Sequence, residues 1–472
     1  MSKDPTRSAP FLSRRDLLRL SLIAGAGLRW GAGRLGAATP AAAPAAEPGR
    51  WLEAAVRAAR WIHTARVESP QGVIWLQGPE RPEGLLSSSD LYSGGAGVVL
   101  FLLELARATG DPAYLKEAMR GADALSRGLP PATDPSLAED GLYTGVAGIG
   151  FTLERVYQDT GEAAYRQGAD RCRDLIHAAA RPAGAGVEWG EVTDIIAGGA
   201  GTGLYLIHRA QAAADLASLE LAERAGLRLI ELGVPAQCGL KWRMASSYEK
   251  LMPNFSHGTA GVAYFLASLY LATKRQEFLD AALAGARYLE AVADTSGDGC
   301  LIFHSEPGGK DLYYLGWCHG PVGTARLWWQ LARATGDVSW NRWATRGARS
   351  IQASGIPEKR TPGFWNNAGQ CCGLAGVAGF FLDLYQRRED PAFLAFARQV
   401  GEDLLRHGTA VSTPAGPGLK WIHAEHRAKP DYTYAQTGYM QGAAGIGMLL
   451  LQLDAAEKGR KWSFRLPDSP FV

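Results

Sequence analysis

The sequence predicts an all-α fold, an α/α toroid (barrel) of seven helical hairpins in which an inner ring of seven helices stands inside an outer ring. Three observations predict it: a glycine phrase that returns seven times, a mostly apolar stretch after each return, and an amphipathic stretch between successive returns. The chain's 472 residues are 47% hydrophobic and 20% charged, the composition of an ordinary folded protein. A net charge of +2, with no basic block beyond the first twenty residues, argues against nucleic acid as a partner. Six cysteines are too few for a disulfide scaffold and have to be read one by one.

The first element is an address. Ser13-Arg14-Arg15-Asp16-Leu17-Leu18-Arg19 precedes a weakly apolar stretch, Leu20 to Leu28, and then Ala/Pro-rich sequence from Ala37 to Ala46. Paired arginines before a Gly/Ala-diluted apolar segment are expected of a twin-arginine export signal. Residues 1–46 are therefore assigned to the signal and its cleavage region, and residues 47–472 to a single domain. Only nine uncharged residues separate Arg19 from Arg29, too few to span a bilayer. The expectation is an exported protein, periplasmic or extracellular, with no stable membrane anchor; its oligomeric state is left open by the sequence, with a monomer favoured.

The repeat then runs as Ser93-Gly94-Gly95-Ala96-Gly97, Thr144-Gly145-Val146-Ala147-Gly148, Ala197-Gly198-Gly199-Ala200-Gly201, His257-Gly258-Thr259-Ala260-Gly261, His319-Gly320-Pro321-Val322-Gly323, Cys372-Gly373-Leu374-Ala375-Gly376 and Gln441-Gly442-Ala443-Ala444-Gly445. The first glycines are 51 to 69 residues apart, room for two helices and their connections. Segments after the glycines, such as Tyr264-Phe265-Leu266-Ala267-Ser268-Leu269-Tyr270, are apolar on most faces and suit helices packed on two sides. Segments between them, such as Trp51 to Arg60, carry polar residues at helical spacing and suit an outer layer. Closing seven hairpins into a ring removes both exposed ends of the array.

The geometry predicts where chemistry collects. Helix starts of the inner ring should gather at one mouth with free N–H groups, beside the residues just before each glycine pair. Three consecutive repeats place His257, Cys318-His319 and Cys371-Cys372 there, and sulfur with imidazole at one rim is a metal-site constellation.

Trp317-Cys318-His319-Gly320, Gln370-Cys371-Cys372-Gly373 and Ser256-His257-Gly258 together resemble the lanthionine synthetase C (LanC-like) family over essentially all of 51–472. The resemblance implies a toroid that holds Zn²⁺ through Cys318, Cys371 and Cys372, with a thiol substrate in the fourth position. Cys372 stands where most members have histidine, and a Cys-Cys-Gly version resembles a three-cysteine branch. Three thiolates would leave the site at −1, so a bound substrate thiolate is expected to be held less tightly and to be more nucleophilic. His257 matches the family's acid/base histidine, Asp194 an active-site aspartate that orients a donor or base, and His319 a position that supplies supporting hydrogen bonds.

The implied reaction is zinc-dependent addition of a thiol to a dehydroamino acid, either lanthionine-type thioether formation in a peptide or adduct formation with a small thiol. Two other readings stand beside it. A carbohydrate-active toroid would use mouth carboxylates drawn from Asp90, Asp140, Asp194, Glu188 and Glu191. A zinc-stabilised module would bind thiols or peptides without catalysis. Cys172, Cys238 and Cys300 read as packing residues, and His304, His423 and His426 as surface histidines. The long interval 376–442, with Gly416-Pro417-Gly418 and Asp431-Tyr432-Thr433-Tyr434, reads as an excursion above the mouth.

Overall fold

Every return of the glycine phrase starts a helix. A computed structural model describes residues 49–81, 86–131 and 139–471; the export segment assigned to 1–46 lies outside the described residues. In chain order the helices are α1 (Arg50–Thr64), α2 (Gly95–Thr109), α3 (Pro112–Arg127), α4 (Val146–Thr160), α5 (Ala163–Ala179), α6 (Gly199–Ala213), α7 (Leu216–Glu231), α8 (Thr259–Thr273), α9 (Gln276–Val292), α10 (Pro321–Thr335), α11 (Asn341–Ala353), α12 (Leu374–Arg388), α13 (Pro391–His407) and α14 (Ala443–Glu457). The even-numbered helices form the inner ring and the odd-numbered ones the outer layer. The toroid expected from the sequence is the fold observed.

Burial follows the two sequence patterns. On inner helix α8 every residue from Thr259 to Leu269 is buried. On outer helix α11 only Ala344, Gly347, Ala348 and Ile351 are buried, a single stripe at helical spacing. Each inner helix packs on the outer helix that follows it, except at the end of the chain: α14 is backed by α1, the first helix, and α14 also packs beside α2. The ring is thus latched by the two ends of the array.

The glycines are required by close approach rather than by left-handed backbone. The first of each pair caps its helix in an extended conformation, for example Gly94 at φ −108° and Gly320 at φ −125°. At the second, a Cβ would lie 1.8 to 2.7 Å from the carbonyl oxygen six residues earlier. The neighbouring repeat crowds the same spot: Tyr439 meets Gly97, Leu91 meets Gly148, Leu142 meets Gly201, Ile195 meets Gly261 and Phe255 meets Gly323. The contact of Tyr439 with Gly97 joins the last repeat to the first.

Many of the N–H groups expected to be free at the mouth are taken up by the loops. In six of the seven repeats the loop folds back so that its carbonyls accept one or more of them: Gly199, Ala200 and Gly201 donate to Val192, Thr193 and Asp194, and Ala443, Ala444 and Gly445 donate to Gln436, Thr437 and Gly438, whereas the fifth inner helix, α10, opens on Pro321, which has no N–H. The loops also bond to each other around the mouth. Tyr92 N–H donates to Tyr143, Tyr143 to Ile196, Ile195 to Ser256, Ser256 to Cys318, Cys318 to Cys371, Cys371 to Met440 and Met440 back to Tyr92, at 2.8 to 3.2 Å. The residue two before the first glycine takes part in every repeat, and the circuit closes on itself.

Among the described residues there are five two-stranded antiparallel sheets: β1 (Arg66–Ser69) with β2 (Gly72–Trp75), β3 (Arg181–Ala183) with β4 (Gly186–Glu188), β5 (Val234–Pro235) with β6 (Leu240–Lys241) and β7 (Thr409–Thr413) with β8 (Gly416–Lys420) pack on outer helices, whereas β9 (Ile422–Ala424) with β10 (Thr433–Ala435) lies against the mouth loops, the Ala424 carbonyl accepting from Trp365 and Asn367. Gly416-Pro417-Gly418 lies in the β7–β8 hairpin, which packs on α1, where Gly418 faces Trp61. That stretch therefore belongs to the outer wall, contrary to the reading of it as part of an excursion above the mouth, whereas Asp431-Tyr432-Thr433-Tyr434 lies in the segment that meets the mouth loops, where Asn366 donates to the Pro430 carbonyl at 3.2 Å.

Two glycines of the inner ring should respond oppositely to alanine. At Gly445 the new Cβ would lie 1.8 Å from the Tyr439 carbonyl oxygen, whereas at Gly379, inside α12, its nearest neighbour is Gln452 Oε1 at 3.6 Å. Urea denaturation should show Gly445→Ala destabilising by about 2–3 kcal/mol, and Gly379→Ala neutral or stabilising by up to about 1 kcal/mol.

Candidate metal centre

Cys318 and Cys371 occupy the position two before the first glycine, so their backbones are links of the mouth circuit; Cys372 follows directly. Adjacent repeats thereby deliver three sulfurs to one place. Cys318 Sγ is 3.0 Å from Cys372 Sγ, Cys372 Sγ is 3.5 Å from Cys371 Sγ, and all three lie within 4.8 Å of one another. All three are free thiols.

The cluster divides its protons unevenly. Hydrogen bonds from Cys318 and Cys372 hold the Cys371 thiol well below its usual range. Burial pushes Cys318 up, and the hydrogen bonds that Cys372 makes to Cys318 and Cys371 push Cys372 up. One thiolate is favoured and three are not, because three anions at this spacing in a buried site need a cation among them. The donor set therefore fits a thiophilic divalent metal such as zinc.

A chain of amide and hydroxyl groups orients Cys371. Asn367 Nδ2 donates to Gln441 Oε1 at 2.9 Å, Gln441 Nε2 donates to the Tyr92 hydroxyl at 2.9 Å, and that hydroxyl bonds to Cys371. Such outer contacts fix the direction of a ligand's lone pairs. Sequence reasoning missed Tyr92 and Asn367. Tyr92 was within reach, since it stands two before Gly94 in the register of Cys318 and Cys371.

The imidazoles form the second half of the site. His257 Nδ1 is 2.6 Å from Asp194 Oδ2, and Asp194 Oδ1 accepts the Ala197 N–H at 2.8 Å. Asp194 is buried and both its oxygens are occupied, so it is a fixed acceptor. An ionised carboxylate only accepts, which puts the His257 proton on Nδ1 and leaves Nε2 as the working atom. Burial works against the imidazolium, but the Asp194 hydrogen bond and charge, with Cys371, outweigh it, so His257 titrates above its ordinary value.

His319 is buried, with its ring centre 5.6 Å from that of His257 and 4.4 Å from that of His304. Burial holds it well below the ordinary range and keeps it neutral, and its Nδ1 has no hydrogen-bond partner among the described residues. His304, read from sequence as a surface residue, instead packs on His319 and on Tyr314 at 4.7 Å. Burial, then the charges of Arg427 and Lys250, push it down to about 4. Trp365 continues this aromatic wall, 5.4 Å from Tyr314. His423 is also buried, bonding through Nε2 to the Gln441 carbonyl at 2.7 Å, while His426 is exposed as expected. Cys172 and Cys300 are buried packing residues, but Cys238 is exposed.

The carboxylates of the carbohydrate reading are engaged locally. Asp90 accepts the N–H groups of Ser93 and Gly94 at 2.7 and 3.2 Å, Glu188 pairs with Arg228 at 2.9 Å, and Glu191 accepts from Ser246 and Ser247. Asp140, raised to about 6 by burial, accepts from Thr202 at 3.2 Å.

A sequence profile of the lanthionine synthetase C-like proteins matches residues 87–466. The chain belongs to the lanthionine synthetase C-like family. Its fold is similar to that of nisin cyclase, with 16% sequence identity over 87% of this chain and 94% of that one and a TM-score of 0.58. Weaker structural similarity extends to the α-1,6-mannanase GH76A of Salegentibacter sp. HEL1_6, at 15% identity over 86% and 99% of the two chains and a TM-score of 0.44. It extends also to an unsaturated glucuronyl hydrolase of Bacillus sp. GL1, at 13% identity over 86% and 97% and a TM-score of 0.45. No curated relative matches the chain.

In this LanC-like protein the His257–Asp194 pair sets a sign that can be measured. A histidine raised in the folded state contributes stability that is present below its unfolded value, about 6.5, and is lost as pH rises through the folded value. Asp194→Asn should move the His257 titration, followed by NMR, toward lower pH and flatten that part of the stability profile.

Proposed function

We propose that the protein catalyses the zinc-dependent addition of a thiol to a dehydroamino acid, forming a lanthionine-type thioether in a peptide or an adduct with a small thiol. The observation that carries the reading is the convergence of three thiols from adjacent repeats beside a histidine already paired with a buried carboxylate. Zn²⁺ would be held by Cys318, Cys371 and Cys372. When bound, it would supply acidification of a substrate thiol at a fourth position.

The chain's own groups account for the rest. Addition of a thiolate to the β-carbon forms the C–S bond and moves an electron pair toward the carbonyl, so the α-carbon must then receive a proton. His257 Nε2 is the donor we assign, because its Nδ1 is committed to Asp194 and that pairing raises the imidazole's affinity for a proton. Asp194 fixes the ring's orientation and the position of that proton. His319, neutral and with an unpaired nitrogen, is suited to hydrogen-bond a reacting group rather than to carry charge. The Cys-Cys-Gly donor set, with three thiolates, is expected to favour a reactive substrate thiolate over a tightly held one.

We place this activity outside the cytoplasm, on the strength of Arg14-Arg15 and the Ala/Pro-rich stretch after them, and with a monomeric enzyme. A metal-loaded, folded cargo is what a twin-arginine route suits.

Metal analysis of the purified protein should find about one zinc per chain, lost in the Cys371→Ala/Cys372→Ala double variant. With a dehydroalanine peptide and a thiol, His257→Ala should keep its zinc yet lower the rate of thioether formation by about 10²–10⁴-fold. A zinc-loaded protein whose thioether formation is indifferent to His257 would contradict the assignment.

A further inference from the structure

Beyond α14 the chain turns back into the molecule. Residues 464–471 run among the inner helices, and Asp468 is 0% exposed there. Its Oδ2 accepts the Tyr143 hydroxyl at 3.0 Å and pairs with Arg326 Nη1 at 3.1 Å. The same guanidinium donates to the Asp468 carbonyl at 2.8 Å, and Arg333 donates to the Pro470 carbonyl at 2.6 Å. Phe471 packs against Trp329 with ring centres 5.0 Å apart, under the Arg387 guanidinium at 4.8 Å. A cavity of about 80 Å³ lies beside this segment and is lined in part by Tyr143, Trp317 and Arg326.

The groups that hold Asp468 also hold the residue next to a site cysteine. Trp317 meets Tyr143 edge-on at 5.1 Å and Phe255 edge-on at 5.6 Å, and Arg326 lies over the Phe255 ring at 5.7 Å. The Trp317 indole Nε1 is buried without a hydrogen-bond partner among the described residues. Nothing but packing sets the plane of that indole, and both rings that pack on it are tied to the Asp468–Arg326 pair. A buried ion pair is a poor source of net stability compared with an apolar plug of the same shape. Its directional contacts do, however, select one seating of the segment.

We propose that Asp468 and Tyr143 are positioning residues for the cysteine cluster: segment 464–471 is the floor of the site, and it fixes Trp317 and, through Trp317, the sulfur of Cys318. This inference rests on the reading of the cluster as a metal site, and its test separates the two.

Tyr143→Phe, which removes one hydroxyl and keeps the ring, and Asp468→Asn are compared with the parent in the full chain. Thermal unfolding is followed in parallel. The readouts are zinc retention against a competing chelator, the thiolate-to-metal absorption of the Co²⁺-loaded protein, and the iodoacetamide alkylation rate of Cys318 in metal-free protein. Folded variants that retain zinc tenfold or more less tightly, the range usual for groups that orient a ligand, with altered cobalt bands and a changed Cys318 alkylation rate, bear the proposal out. Folded variants with the parent's affinity, bands and alkylation rate overturn it. If the parent itself binds no metal, the proposed function fails, and the alkylation rate of Cys318 alone decides the floor: a changed rate supports it and an unchanged rate sinks it. Tyr143→Phe carries the test should Asp468→Asn not fold.

Discussion

A closed circuit of backbone hydrogen bonds around the mouth is the constraint on which the rest of the structure depends. It runs from Tyr92 through Tyr143, Ile195-Ile196, Ser256, Cys318, Cys371 and Met440 back to Tyr92. Each link joins one repeat to the next, so a shift in any loop would break two bonds among residues that, Tyr92 apart, are buried. The glycine pairs exist to let this circuit form: their missing Cβ atoms are where loop carbonyls and the neighbour's side chains pass. A ring built this way has one geometric centre, and the residues at and just after the circuit positions are held around it with little freedom.

That rigidity gives the chemistry its setting. Side chains at equivalent positions of adjacent repeats are brought together without any loop having to be ordered by ligand, which is the preorganisation that metal binding and proton transfer both need. Burial and mutual hydrogen bonding favour only one of the three thiols as an anion, so ionising all three would take a cation among them. The imidazoles beside them differ in protonation for physical reasons. His257 is raised by Asp194, whereas His319 and His304 are buried near like charges and stay neutral. One mouth thus offers a proton donor and neutral acceptors side by side.

Much of this was legible in the sequence because the repeat is strict. Fixed glycines gave the number of inner helices, and the register before each glycine gave Cys318, Cys371, Cys372, His257 and His319 as neighbours in space. Asp194 was harder, since an aspartate before a helix reads equally as a cap, and it does accept the Ala197 N–H while also pairing with His257. His304 was not legible, because it reaches the wall from a loop outside the repeat register. The loop carbonyls that quench the helix starts were invisible for a different reason: backbone-to-backbone bonds leave no residue type behind. The bore-filling segment was unreadable too, because Asp468 becomes meaningful only once Arg326 and Tyr143, far apart in sequence, line one channel.

The most direct test of this account is the X-ray absorption spectrum at the zinc edge of the purified protein. It predicts a first shell dominated by three sulfur scatterers at about 2.3 Å, with the remaining position open to a thiol added in the same sample. A first shell of nitrogen and oxygen without sulfur, or no bound zinc in fully reduced protein, would contradict the claim that the circuit presents Cys318, Cys371 and Cys372 as one metal site.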